Sequence, residues 1–442
     1  MSPWLTAFSR IIIDQLLTIW GPTGLSVIRL YNVETVPSLA LDLISADIDP
    51  VTMTVIVTGS MGAVYDNIYP VIVGIQSSAG GLIYETQVNE IDKGAFRVVL
   101  PWTFGDELYI SIIETTSNPM TIGPFYLGRV PLGYVVGGYP VSGYAQAVDV
   151  KGNIAVVGEK EGRLNVVDTT DPANPLFLGS LNFNEEIRQV RIIGERVYMA
   201  SGYYMRIVDI GNPANPVQLS GTNLGSGSYG IDVFDGIAFA ARPPGYIYVY
   251  DVRNEQNPVY KSYKYLGGGT VQDVKVDALT GRLYAVVDNG ASSYLSVLDI
   301  SNIANLIEIG KVTVPGNPRR FEIIGDKMYI AVKSGMVILS LNRLGTADFG
   351  RDGDGDGRAD DILSYMTTTG GGTSDVDIKG NHAYIADGSF NNGVRMIDIT
   401  DPNTPEEIAK IDVPGDAIEL KIAGDYLYLA GGSTGLSVIR LY

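Results

Sequence analysis

The sequence has no cysteine and a single histidine, His382, among its 442 residues. Disulfides are excluded, and the Cys/His shell of a zinc site cannot be assembled. A Ser-His-Asp triad would have to run through His382, which stands just after a strand turn and reads as a surface or hydrogen-bonded histidine. Asn-x-Ser/Thr sequons are absent. Long apolar runs are absent too: Ile11–Trp20 is broken by Asp14, too short and interrupted for a membrane span. Only Arg10 precedes it as a basic residue, and it has no small-residue cleavage site, so an export signal is expected upstream or the chain is cytosolic. Basic residues are scarce: 31 Lys and Arg against 49 Asp and Glu give a net charge of −18, which repels nucleic acid at long range. With 53 glycines, 27 tyrosines and 18% charged residues, the composition fits short strands joined by tight turns rather than long helices.

A five-residue phrase recurs through most of the chain. It reads LNVVD at Leu164–Asp168, MRIVD at Met205–Asp209, IYVYD at Ile247–Asp251, LSVLD at Leu295–Asp299, MVILS at Met336–Ser340, VRMID at Val394–Asp398 and LSVIR at Leu436–Arg440. The first residues stand 41, 42, 48, 41, 58 and 42 apart, and a period near 42 built from short alternating strands is that of a β-propeller blade. An alternating strand and a turn glycine precede each phrase, at Gly152, Gly194, Gly236, Gly281, Gly325, Gly380 and Gly424, where a tight hairpin needs positive φ. A proline turn and an outer strand follow, as in Asp171–Pro175 and Leu176–Gly179. The phrase-ending aspartates are expected to accept from amides of the following turn, with Ser340 doing so more weakly.

The last blade lacks an outer strand, and Pro131–Gly138 reads like the missing piece, so pairing it with Leu436–Tyr442 would close the ring. These blades resemble the LVIVD-repeat family of propellers, found mostly in secreted or surface proteins of bacteria and archaea. The resemblance implies binding or scaffolding roles and brings no catalytic residues. The expected fold is all-β: a seven-bladed β-propeller over 129–442, interrupted near 344–362 by an insertion, and preceded by a separate module.

Residues 34–128 have no such period. Strand-like runs at Leu39–Ile44, Met53–Val57, Val71–Ile75, Phe96–Leu100 and Leu108–Ile113 alternate with turn-rich segments, as a β-sandwich requires. Lys93–Pro101 followed by Gly105-Asp106, with Ser117-Asn118-Pro119, resembles bacterial immunoglobulin-like modules, which implies a spacer. In residues 1–33, Gly21–Tyr31 repeats Gly432–Tyr442 with one change, Pro22 for Ser433. A helical face through Trp4, Phe8, Ile11 and Leu16 competes, but strands are expected for Asp14–Tyr31 because of that identity.

The segment Asp352-Gly353-Asp354-Gly355-Asp356-Gly357-Arg358-Ala359-Asp360-Asp361 lies within the insertion. Carboxylates at alternate positions can converge on one hard cation, and calcium suits such oxygen-rich, flexible loops. The pattern resembles the calcium loops of thrombospondin type 3 repeats and the first half of EF-hands and dockerins. That resemblance implies side-chain oxygens from Asp352, Asp354, Asp356 and Asp360 and the carbonyl of Arg358. Leu363 stands where a bidentate Glu would be, so Asp361 or a carboxylate from elsewhere would substitute. Were the chain a propeller enzyme with catalysts at its central channel, Arg242, Arg319 and Arg320 would be the candidates. No catalytic constellation is expected. The expected function is that of a non-enzymatic extracellular or cell-surface structural or adhesive protein. Its expected form is a subunit of a filament built from copies of itself by strand donation, with surface glycans or proteins as further partners. The alternatives are a propeller enzyme such as a hydrolase and a monomeric ligand-binding propeller.

Overall fold

The computed structural model describes residues 133–441 except 369–371 and 389–392, together with Ala95 and eleven strands between residues 12 and 129. The chain divides into two compact units, Met1–Leu132 and Gly133–Tyr442. Among the described residues everything regular is β, apart from one 3-10 turn at Gly290–Ser292.

The second unit consists of seven four-stranded antiparallel sheets. The first runs Ala145–Lys151, Ile154–Glu159, Arg163–Asp168 and Leu176–Asn182, and the repeating phrase forms the third strand. Each turn glycine read from the sequence has φ between 58° and 69°, at Gly152, Gly194, Gly236, Gly281, Gly325, Gly380 and Gly424. In most of them the alternative, a side chain at φ > 0, would strain the hairpin, and this is why the period is punctuated by glycine.

The phrase aspartates behave as expected. Asp168, Asp209, Asp299 and Asp398 each accept from the amide two residues on at 2.7–2.8 Å, and Asp251 does so at 3.2 Å. Ser340 Oγ accepts from the Asn342 amide at 3.3 Å, the longest of the set. The strand before the first sheet, Gly133–Tyr139, pairs with Leu436–Leu441 and completes the seventh sheet, from Gly133 opposite Leu441 to Tyr139 opposite Leu436. Leu436–Leu441 is thereby covered on both sides, and Gly133–Tyr139 becomes the outer strand of that sheet.

The innermost strand of each sheet packs on the innermost strand of the next, and the seventh, Glu419–Ala423, packs on the first, Ala145–Lys151. One apolar residue per innermost strand is buried between sheets: Val148, Val190, Ile231, Val274, Phe321, Val376 and Leu420. Phe321, for example, packs among Val286 and Val297 of the fourth sheet and Ile330 and Val337 of the fifth. Alternation along the strand then turns the residues on either side of this apolar position toward the ring axis.

In the first unit, one sheet orders Ile44–Asp49, Thr54–Gly59 and Phe96–Pro101, and another orders Thr121–Arg129, Glu107–Glu114, Val71–Ser77 and Ile83–Val88. The expected strand Leu39–Ile44 is instead two, Ser38–Leu39 and Ile44–Asp49, with residues 40–43 outside the described set. Ile83–Val88 and Thr121–Arg129 are strands that the sequence reading did not mark. Ile12–Leu17 pairs with Val27–Tyr31, so the strand expectation holds over the helical one for these residues. Residues 1–11 and 18–26, including Trp4 and Phe8, lie outside the described residues.

Candidate functional site

Two places gather charged side chains: the acidic insertion of the fifth sheet, and the ring axis.

The insertion joins Gly335–Ser340 to Ile362–Thr367. Asp352, Asp354 and Asp356 bring carboxylate oxygens within 4.8 Å of one another, and all three are exposed. The loop is wound by its own acids. Asp352 accepts from the Gly355 and Gly357 amides at 2.7 and 2.9 Å, Asp354 from Asp356 at 3.1 Å, and Asp356 from Arg358 at 2.8 Å. Positive φ at Gly355 (80°) and Gly357 (89°) makes the winding possible.

Asp360 closes the loop rather than joining the cluster. It accepts from the Gly353 amide at 2.9 Å and from Arg343 at 3.2 Å. The Gly353 amide first, and Arg343 second, hold its carboxyl below the usual range. Asp361 is turned away: it is buried, accepting from Arg343 Nε at 2.8 Å and from the Gly350 amide at 2.7 Å. Its place as a substitute twelfth ligand is therefore not supported by this geometry; Asp361 anchors the base of the loop. Hard oxygens from Asp352, Asp354 and Asp356, with Asp360 adjacent, fit a hard divalent cation such as calcium.

Around the axis, two residues before the end of every innermost strand stands a charged side chain, and all seven line one cavity of about 490 Å³. Four are acids. Asp149 accepts from the Val150 amide and, across the sheet boundary, from Ile192 at 2.6 Å. Asp232 joins Val233 to Val276, and Asp377 joins Ile378 to Ile422, in the same manner. One residue pair deeper, Asp375 joins Val376 to Leu420. Each carboxylate thus staples one sheet to the next through backbone donors that would otherwise be buried unpaired.

The cations of this tier are paired with the acids. Lys275 donates to Glu322 at 2.6 Å, and Lys421 lies 3.1 Å from Asp377. Arg191 reaches Glu419 and Asp273 at 3.8 and 3.9 Å. Burial works against charge on Arg191, but Asp273, Asp149, Glu419 and Asp232 outweigh it and raise its pKa.

The acids respond according to their neighbours. Burial raises Glu322, yet Lys275 and Lys421 overcome it and hold the carboxyl down at about 2. Burial pushes Asp375 up to about 6 against the pull of Arg320, and burial, helped by Asp375 and Asp273, pushes Glu419 up to about 8 against Arg320 and Arg191. Arg320 Nη1 lies 3.1 Å from Glu419, while its Nη2 donates to the Arg188 carbonyl at 2.7 Å.

The other end of the axis is a second cavity of about 220 Å³, lined by residues near or just before the starts of the innermost strands, including Gln146, Arg188, Tyr229, Gln272 and Arg319. Of the three arginines singled out by sequence, Arg319 and Arg320 meet here, whereas Arg242 lies elsewhere, donating to the Tyr248 hydroxyl at 3.0 Å and stacking on Tyr246 and Tyr248. His382 begins the second strand of the sixth sheet, where burial lowers its pKa despite Asp398. The stapling aspartates were missed by sequence reasoning. Their signal was present in Val148-Asp149-Val150 and Asp375-Val376-Asp377-Ile378, where an acid sits beside two apolar positions just before the turn glycine.

Comparison with known proteins bears on the ring. No curated protein matches the sequence at a significant level. Among solved structures, the chain is similar to the RRP9 WD40 repeats, with a TM-score of 0.52 and 12% identity over 70% of this chain and 97% of that one. It is also similar to the computationally designed Ika8 protein, with a TM-score of 0.49 and 13% identity over 70% and 99% of the two chains. At such identity the first likeness speaks for the fold alone. The LVIVD repeat matches residues 142–182, 186–222, 268–314, 370–413 and 414–439. The unmatched intervals hold the third sheet, whose innermost strand is only Ile231–Phe234, and the fifth, which carries the acidic insertion. The chain carries LVIVD repeats, consistent with a β-propeller.

Proposed function

We propose that the chain is a non-enzymatic extracellular structural or adhesive protein, a subunit of a surface filament whose copies join by strand donation. In this reading Gly133–Tyr442 is a closed seven-bladed propeller, the two sheets of the first unit form an immunoglobulin-like spacer, and the Asp352–Asp360 loop holds one structural calcium ion.

The observation that carries the reading is the N-terminal strand pair. Leu16 stands opposite Ile28 and Leu17 opposite Val27. In the seventh sheet the residues at the corresponding places, Leu427 and Tyr428, stand opposite Ile439 and Val438. Next to its turn the duplicated segment thus keeps the register of the closing sheet, and a bulge between Ile13 and Leu16 shifts the pairing beyond it by one residue. Among the described residues this pair hydrogen-bonds to no third strand, and the seventh sheet is already completed by Gly133–Tyr139. A strand with a blade's sequence and no vacant blade of its own gains main-chain hydrogen bonds and side-chain burial by adding to another copy.

Edges suited to receive it exist. Outer strands begin with exposed apolar residues at Leu176 (63%), Val217 (48%), Val259 (47%) and Ile307 (53%). A head-to-tail contact of this kind propagates into a filament unless its rotation closes a ring.

The test is deletion of residues 1–31, followed by electron microscopy and light scattering. A folded monomer in place of filaments supports strand donation. Filaments of unchanged dimensions from the truncated chain would overturn it.

A further inference from the structure

The two ends of the ring axis differ in how their charge is settled. At the turn end Arg191, Lys275 and Lys421 each have an acid beside them. At the other end the lining tier, five residues before the end of each innermost strand, contains no carboxylate. Glu186, at the rim, is ion-paired with Arg188, which also stacks on Tyr229 at 4.6 Å. Arg320 is committed already, lying 3.1 Å from Glu419 and donating to the Arg188 carbonyl. Arg319 is exposed, and no acid or carbonyl partners it among the described residues. Arg319 therefore leaves this mouth at least one guanidinium without an acid beside it, on a chain whose net charge is −18.

The remaining groups are neutral and polar. The Gln272 amide and Tyr229 hydroxyl line the cavity without hydrogen-bond partners among the described residues. The space, about 220 Å³, equals about seven waters at roughly 30 Å³ each, the size of one small ring molecule. One unspent planar guanidinium fork matches one carboxylate. Neutral amide and hydroxyl groups beside the fork match hydroxyls on the same ligand.

We infer that this mouth of the channel is a binding pocket for a small hydroxylated carboxylate, of the class of the uronic acids, with Arg319 receiving the carboxylate and Gln272 and Tyr229 the hydroxyls. The inference is independent of filament formation, because every group it uses lies in Gly133–Tyr442.

Isothermal titration of the full chain at low salt tests it, with sodium glucuronate as the probe and glucose, acetate and inorganic phosphate as the other arms. Glucuronate is expected to bind with Kd of about 1 mM or tighter, and glucose, acetate and phosphate at least about tenfold more weakly. Arg319→Ala, an exposed substitution that should leave the unfolding midpoint unchanged, is expected to weaken glucuronate about tenfold or more. Arg319→Lys keeps the charge but not the fork, and should weaken it too. Gln272→Leu should reduce glucuronate binding and leave acetate unaffected. Absence of glucuronate binding up to about 10 mM, or acetate or phosphate binding as tightly, overturns the assignment. So does glucuronate affinity unchanged in Arg319→Ala.

Discussion

Asp352, Asp354 and Asp356 in the insertion and Asp375 and Asp377 in the sixth sheet share one pattern, acids at alternate positions, and meet opposite fates. Between the first three stand glycines; between and after the second pair stand Val376 and Ile378. A glycine has nothing to bury, so the insertion stays in water and its carboxylates bend the loop onto its own amides. Val376 is buried between sheets, and its burial drives the flanking aspartates inward, where they are 6% exposed. There they must be satisfied by the protein, and the amides of Leu420 and Ile422 do it. The intervening residue, more than the acids, decides whether alternating aspartates make a cation loop or a staple between sheets.

The sharpest way to break the buried half of that comparison is to remove its compensating cation. Arg320→Met leaves Glu419 and Asp375 together without their shared partner. Removing one member of a buried pair costs about 3–5 kcal/mol, since the remaining charge stays desolvated. The urea unfolding free energy is expected to fall by that amount. A loss below about 1 kcal/mol would mean the cluster is wetter than its burial implies.

The same cluster predicts a pH dependence that the exposed loop lacks. Glu419 and Asp375 are raised to about 8 and about 6, so the folded chain keeps protons that the unfolded chain has released. Their contribution to stability is complete below the ordinary carboxylate range and is lost as pH rises through 6 and 8. Glu322, held at about 2, acts in the opposite sense, and its contribution is lost only as pH falls below 4.5 toward 2. His382, lowered by burial, adds stability as pH rises through its ordinary value of 6.5. The decisive comparison is therefore wild type against Glu419→Gln. Wild-type stability should drop by roughly 1–3 kcal/mol relative to the variant between pH 5 and 8. Parallel curves would show that Glu419 is ionised throughout.

The ring was legible because its signals are local. A turn glycine, an alternating strand and a phrase ending in Asp168 or Asp209 lie within one repeat, and the closing strand Gly133–Tyr139 advertises itself by likeness to other outer strands. The stapling role of Asp149 was not legible, because its second acceptor contact is with Ile192, one whole repeat away. Nor could the sequence separate Asp361 from Asp352: they are neighbours in one acidic run, and only packing shows that Asp361 turns inward to Arg343. The tiers of the channel likewise need the register of all seven innermost strands at once.

The remaining test concerns the exposed half. If Asp352, Asp354 and Asp356 hold a cation, the ion adds stability by mass action, about 2.7 kcal/mol at a hundredfold excess over Kd. Chelation should lower the melting temperature and calcium restore it. Asp354→Ala with Asp356→Ala removes two of the three converging carboxylates yet touches only the loop's own amides at 356 and 358. Without calcium this double variant should therefore melt within about 0.5 kcal/mol of wild type, as exposed substitutions do. With calcium it should fail to gain what wild type gains. Relief of repulsion between the acids would even favour the variant slightly in chelator. Equal melting of wild type in calcium and in chelator would leave these aspartates as a loop wound by its own amides, and the glycine-spaced pattern as a turn rather than a cation site.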